Sequence, residues 1–221
     1  MDWNAVWVTG LLASVTMLCL MVIALPLAWW LARTRSPAKP AVEALTAMPL
    51  VLPPTVLGFY LLLLFNPEAP FGGAWFALTG ETLSFSFEGL VIASMLYSLP
   101  FAVQPLQSAF EALDETLLEA ADSLGAGSLD RFVTTVLPLS RRGLLTAAIL
   151  SFAHTVGEFG VVLMVGGNIP GETRVLSIAI YEHVETLRFS DAHQLSALMV
   201  VFSFVVLVAV YSLQRGRLVR V

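Results

Sequence analysis

Long apolar runs alternate along this chain with short polar connections. A hydrocarbon core about 30 Å thick takes roughly 20 residues of helix to cross. Five runs meet that length, at about residues 7–31, 44–65, 89–110, 143–165 and 195–213. The first is too long for a signal peptide, and the Met1-Asp2-Trp3-Asn4 stretch before it has no positive charge, so it is expected to stay as an anchor, kinked near its end by Pro26. Leu176, Ile180, Val184 and Leu187 share one helical face within residues 175–187, a stretch too short to span. That spacing predicts an interfacial or re-entrant helix on the outer side, with a sixth crossing as the alternative. The expected fold is an all-α integral membrane protein of about five transmembrane helices, forming one domain over residues 1–221.

Composition agrees. Of the 221 residues 57% are hydrophobic and 12% charged, against about 25% charged in soluble domains, so an ordinary soluble enzyme is excluded. A net charge of −5 argues against nucleic acid as a partner. The single cysteine, Cys19, permits no internal disulfide or thiolate metal site. Charge placement sets orientation. Arg33, Arg35, Lys39, Arg131, Arg141, Arg142, Arg215, Arg217 and Arg220 fall on one side of a five-span topology, leaving Arg174 and Arg188 on the other. Basic residues are retained in the cytoplasm, so the N-terminus is expected outside and the C-terminus inside. Trp3, Trp7, Trp29, Trp30 and Trp75 lie near span ends and read as interfacial anchors.

The most informative segment is the cytoplasmic loop at about residues 111–138. Leu113, Leu117, Ala121 and Leu124 repeat at helical spacing, with Glu111, Asp114, Glu115, Glu119 and Asp122 on other faces. Gly125-Ala126-Gly127 is expected to end this amphipathic helix, and Ser128 to cap a second one with Asp130 in its first turn. The plainer reading is a helix that packs against its own bundle. However, Glu119-Ala120-Ala121, then Gly125 after three residues, then Leu137-Pro138 beyond Thr135, resembles the EAA signature of ATP-binding-cassette importer permeases. Thr135 departs from the isoleucine usual there. The resemblance implies a type I importer bundle whose loop docks into an ATPase subunit, through Glu119, Ala120, Ala121, Gly125, Leu137 and Pro138.

Two further stretches narrow the substrate. Met48-Pro49-Leu50-Val51-Leu52-Pro53-Pro54-Thr55-Val56-Leu57-Gly58, and Gly157-Glu158-Phe159-Gly160 followed by residues 168–174 (NIPGETR), look like segments of molybdate and tungstate importer permeases, and sulfate permeases share part of the pattern. The resemblance implies a prokaryotic inner-membrane subunit that pairs with a second copy of itself, two ATPase copies and an extracytoplasmic molybdate- or tungstate-binding protein. ATP and magnesium would be held by the ATPase, since no G-x-x-x-x-G-K-[ST] occurs in this chain.

Within the spans, Pro49, Pro53 and Pro54 interrupt the backbone ladder, which a bilayer tolerates only where protein or a wet cavity satisfies the freed groups. Pro53, Pro54, Thr55, Gly58, Gly157 and Gly160 are therefore candidates for the translocation path, while helix packing alone accounts equally well for the breaks. Gly157 and Gly160 also suit close helix packing. His154 and Glu158, one turn apart, offer too few ligands for a metal and read as satisfied structural groups, with Glu158 hydrogen-bonded away from the anion's route. At the outer mouth Asn168 and Arg174 are candidates to meet the anion or a docking partner. The alternative for Arg174 is a surface pair with Glu172 or Glu182. HExxH, GxGD and GxSG are absent, so the chain is expected to be non-catalytic. A self-sufficient channel or ion-driven transporter would carry more charge within its spans.

Overall fold

A computed structural model describes residues 2–215, and these are helical with no strand. In chain order the elements are α1 (Trp3–Arg33), α2 (Lys39–Ala47), a 3-10 turn (Met48–Leu50), α3 (Pro54–Phe65), α4 (Pro70–Thr79) and α5 (Phe87–Glu111). Then follow α6 (Glu115–Ser123), α7 (Ser128–Arg131), a π-helical stretch (Phe132–Val136) and α8 (Leu137–Leu139). The remainder is α9 (Arg141–Gly157), α10 (Gly160–Gly166), α11 (Leu176–Glu185) and α12 (Phe189–Arg215).

Three helices, α1, α5 and α12, are individually long and apolar enough to cross a bilayer. Two more crossings arise only if bent pairs count as single spans. The second expected span is not continuous: Lys39–Leu50 and Pro54–Phe65 meet at 108°. The cause is the Val51–Pro53 break, where the Pro53 and Pro54 rings remove two backbone donors. The fourth expected span is also corrected. Ser128–Leu139 bends by 76° into α9, and α9 itself stops at Gly157, with Glu158 and Phe159 outside helical structure before α10 begins. By contrast α1 runs on through Pro26, its first turn capped by Asp2, which accepts from the Ala5 N–H at 3.1 Å. The short outer helix predicted over 175–187 is present as α11 and packs on α12. α4 was not foreseen: it lies between the apolar runs 44–65 and 89–110, in a stretch that the run pattern leaves as a connection.

The bundle is organised around α1, α5 and α9, which pack against one another. Lipid is as apolar as leucine, so association in the membrane depends on close contact and not on removal from water. Small residues supply that contact. Ala24 and Ala28 of α1 and Ala102 of α5 are fully buried, and they share a cluster with Phe110, with Leu118 of α6, and with Val136 and Ala147. The cluster thus reaches from the bundle into the segment after α5. Gly143 brings α9 against α5 in the same way, since a Cβ there would lie 2.3 Å from Ala109 Cβ. His154 is satisfied as expected: its Nδ1 lies 2.9 Å from Ser98 Oγ, and its ring stacks on Phe101 at 3.9 Å. α12 keeps a broad apolar flank exposed, including Val200, Phe204 and Tyr211.

The basic residues do segregate. Arg33 donates to the Phe110 carbonyl and Lys39 pairs with Glu111, which places both at the end of the bundle where α1 and α5 finish. Arg174 pairs with Asp2 at the end where α1 begins. Arg217 and Arg220 lie outside the described residues.

Candidate functional site

The predicted coupling residues are brought together in one projecting knob, α6 to α8. Asp114 caps α6, accepting from the Thr116 N–H at 3.0 Å and from the Thr116 hydroxyl at 2.8 Å. These bonds hold its carboxyl below the usual carboxylate range. The helix ends at Leu124 in a two-bond cap: Gly125 N–H donates to the Asp122 carbonyl and Ala126 N–H to that of Ala121. Gly125 has φ +84°, a left-handed conformation that a side chain opposes. No atom within 4 Å would meet its Cβ, so the glycine is required by the turn and not by crowding within this chain. Ser128 does not cap the second helix. It occupies the first helical position, Gly127 precedes it, and no side-chain cap bond forms. Asp130 does lie in the first turn, and an Arg131–Asp122 ion pair ties the two short helices together.

The knob's apolar residues divide between two directions. Leu118, only 8% exposed, is the residue that roots α6 in the bundle. Leu117 and Leu124, expected on the packing face, point outward with Leu129 and Val133, Leu124 being 89% exposed. Glu119 and Ala120 are exposed beside them. An apolar patch of this kind on a projecting loop marks an interaction surface. Pro138 is exposed and Leu137 half-buried where the knob meets α9.

One connection was missed from sequence. Trp29, read as an interfacial anchor, stands between Phe110 and Phe132 with centroids 5.5 Å from each, edge-on to both. The Arg33 guanidinium lies over its ring at 5.2 Å. Phe132 opens the π-helical stretch, so the knob is clamped to α1 and α5 by aromatic contacts. The cue in the sequence was Trp29-Trp30 itself: two adjacent tryptophans lie on different sides of a helix, and only Trp30 is exposed.

The path candidates converge on the two breaks. A Cβ on Gly160 would lie 2.7 Å from Pro54 Cβ, and one on Gly58 2.7 Å from Met164 Cβ. α3 and α10 therefore meet at their glycines, and the break before α3 abuts the break before α10. Pro53 and Thr55 remain exposed beside this junction. Gly157 does not serve close packing within the chain: it is exposed, with nothing within 4 Å of its Cβ position. Glu158, 3% exposed, sits between α9 and α10 at this junction. Its backbone carbonyl accepts from the Ser177 hydroxyl, and its carboxyl group stands against the Ser94 hydroxyl of α5 without a bond of full hydrogen-bond geometry. Among the described residues no group of His, Cys, Asp or Glu is arranged to hold a metal ion.

At the other end of the bundle Arg174 is committed to its own chain. It meets Glu182 at 2.8 Å, donates to Asn168 Oδ1 at 2.7 Å and lies 3.6 Å from Asp2. Asn168 in turn donates to Glu182 at 2.8 Å. The partner among the two foreseen carboxylates is Glu182, and both outer-mouth candidates belong to one closed network.

Comparison with known proteins places this geometry. A family described as "Binding-protein-dependent transport system inner membrane component" matches residues 24–220. The molybdenum transport system permease protein ModB of Azotobacter vinelandii is 57% identical over 214 residues, covering 97% of this chain and 95% of that one. ModB of Escherichia coli K12 is 35% identical, over 84% of this chain and 81% of its own. The sulfate transport system permease protein CysT of the same strain is 32% identical, over 94% and 74%. Among solved structures, a bacterial ABC transporter involved in importing the acidic polysaccharide alginate superposes with a TM-score of 0.73 at 17% identity, over 96% of this chain and 78% of that one. The MetNI methionine ABC transporter gives 0.68 at 20%, over 96% of both chains.

Proposed function

Because this chain belongs to the family of binding-protein-dependent transport system inner membrane components, we propose that it is the membrane subunit through which an ATP-driven importer moves molybdate into the cytoplasm. The observation that carries the cargo is the 57% identity to a molybdenum transport permease over nearly the whole of both chains. Tungstate, the same tetrahedral dianion in slightly different size, is accepted by the same path. Sulfate is the competing cargo, favoured only by the more distant CysT relatives.

The chain is a non-catalytic permease, and its partners follow from the work it leaves undone. An ATPase subunit takes the knob into a groove, using Glu119, Ala120, Ala121 and the Gly125 turn, with Leu117 and Leu124 as apolar contacts. Leu137 and Pro138 carry the displacement into α9. The clamp of Trp29, Phe110 and Phe132 passes it to α1 and α5 as well. Two copies of the chain enclose the path, and an extracytoplasmic binding protein delivers the anion to the end where α1 begins, with the N-terminus outside and the C-terminus inside. Pro53, Pro54, Thr55, Gly58, Gly157 and Gly160 lie along the route, where broken helices present backbone dipoles to a dianion that is costly to desolvate. Alternating access then moves rigid helices about these breaks.

The test is uptake in cells. Deleting the gene should abolish molybdate uptake at limiting concentration and leave sulfate uptake intact, with tungstate competing. Loss of sulfate uptake with molybdate uptake unchanged overturns the assignment.

A further inference from the structure

His154 is the one imidazole within the five apolar runs, and the chain uses only one of its two ring nitrogens. The Thr155 hydroxyl donates to the Ser151 carbonyl at 3.0 Å. Its oxygen is then left to accept from the Ser98 hydroxyl at 3.0 Å, and Ser98 in turn accepts from His154 Nδ1 at 2.9 Å. All three bonds form together only when the proton of the neutral ring sits on Nδ1. Nε2 is therefore the bare, basic atom. Among the described residues nothing bonds to it and, unlike the Glu158 carboxyl, it is not sealed off from the surface.

The neighbours fix which surface that is. The ring stacks on Phe101 at 3.9 Å and lies 5.0 Å from Tyr97, both on α5. Gln104, one turn beyond Phe101 on the same side of α5, is exposed, and so is Gly157, one turn beyond His154 on α9. α5 and α9 thus share an open face that carries an amide and an imidazole nitrogen, whereas the open flank of α12 is apolar. Hydrocarbon satisfies neither group, so this face meets water or protein. It adjoins Gly157, on the route proposed above. The titratable groups around the ring are few. α5 brings Tyr97, and Glu158 follows one turn on with its carboxyl against Ser94. α1 and α12 carry no charge within their apolar runs, and α11 keeps Glu182, His183 and Glu185 in its last turn at the outer end.

We infer that His154 touches the transported oxyanion on its way through, by donating from Nε2 as an imidazolium. The inference rests on the importer reading. A dianion beside the ring favours the charged form. Nε2 takes a proton from hydronium in the path, releasing water, and donates it in a charge-assisted hydrogen bond to one oxygen of the anion. No bond of the anion breaks. The pair carries one negative charge in place of two, which lowers the desolvation cost of crossing. When the anion moves on, the proton returns to water and the attraction goes with it. A fixed guanidinium would go on holding the anion; an imidazole lets it leave.

The complex of permease, ATPase and binding protein is reconstituted in liposomes. Uptake of radiolabelled molybdate at limiting concentration is measured from about pH 6 to about pH 8.5, where imidazole titrates. Native uptake should fall as pH rises, by up to about tenfold per unit, as it does when one proton is bound with the anion. His154→Gln should take up at least tenfold less at the acid end, with native melting temperature and native ATP hydrolysis in the absence of substrate. His154→Arg, a permanent cation, should exceed the glutamine variant at every pH and reach a lower maximal rate than native because release is slow. Effects of pH on the ATPase and the binding protein are common to all three and cancel in the ratio of native to His154→Gln. A ratio that stays constant with pH, or an arginine variant no better than glutamine, overturns the inference, since a ring that only packs would give both results. If the substitutions lower the melting temperature, nitrogen-15 histidine spectra of the native complex decide. Molybdate should move one permease ring signal to the imidazolium position, and an unchanged spectrum overturns the inference. The importer reading fails separately, by absence of ATP-driven molybdate uptake in the native complex at every pH.

Discussion

Two pairs of membrane elements in this chain solve the same packing problem differently. α1 and α5 are uninterrupted and meet along alanines, Ala24 and Ala28 against Ala102, with every residue of the stripe fully buried. α3 and α10 are short, each begins at a break in the chain, and they meet through Gly58 and Gly160 with no room for a methyl group. Continuous helices keep their backbone polar groups inside their own ladder, so the first pair serves as an inert frame. Broken helices interrupt that ladder, and Pro53, Thr55 and Gly157 remain exposed beside the breaks. Such exposure is tolerable only beside protein or water. On the route proposed above, the frame fixes shape and the broken pair would supply the polar surface that an anion needs.

The sharpest way to break this comparison is to fill the glycine junction. Gly160→Leu forces a side chain into Pro54 and should cost about 3 kcal/mol or more by overpacking, abolishing uptake and lowering the yield of folded complex. Gly157→Ala, at the exposed last residue of α9, should leave the melting temperature near native. Equal damage from the two would remove the distinction. Next in size is the frame itself. Ala24→Leu should cost about 1–3 kcal/mol and lower the melting temperature of the complex, while uptake per folded molecule stays close to native. A change in uptake without a change in stability would mean that the α1–α5 contact itself rearranges during transport.

Gly125→Asp lies outside both pairs and sharpens the contrast. A side chain at φ +84° costs about 1–2 kcal/mol locally. The permease should still fold, but co-purification with the ATPase and transport-linked ATP hydrolysis should be lost, as they should for Glu119→Lys. Retention of both activities in both variants would falsify the docking role of the knob. The smallest effect expected is from Arg174→Ala. It opens a network in which Asp2, Asn168 and Glu182 remain, and exposed pairs are worth at most about 1 kcal/mol. Uptake at limiting molybdate should fall modestly, with the preference over sulfate unchanged in a competition assay.

The residues that were legible in the sequence are those whose chemistry is local. Gly125 required a left-handed turn, Asp130 belonged in a first turn, and the length of the apolar runs gave the continuous helices α1, α5 and α12. Three things were not legible. The division of Leu118 from Leu117 depends on what stands behind α6, and neighbouring leucines look alike in a sequence. Trp29 belongs to an aromatic cluster because Phe110 and Phe132 approach from elements 81 and 103 residues further on. The stop at Gly157 had no proline to announce it. Glycine spacing was visible, but which glycine faces a neighbour is decided by the tertiary contact alone.

The frame also constrains how the chain can be made. α5 is the least apolar of the three full-length helices, with a mean hydropathy of 1.5 against 2.5 for α1, and the most enclosed, with 56% of its apolar window buried. It contains Pro100 and Pro105, and Ser94 and Ser98 are wholly inside. Alone in lipid, such a segment gains little on leaving the translocation channel, because its polar atoms face hydrocarbon. α1 is apolar enough to enter the bilayer by itself, and it emerges from the ribosome more than fifty residues earlier. The N-terminal helix is therefore expected to serve during synthesis as a receptor for α5, present in the membrane before its client arrives.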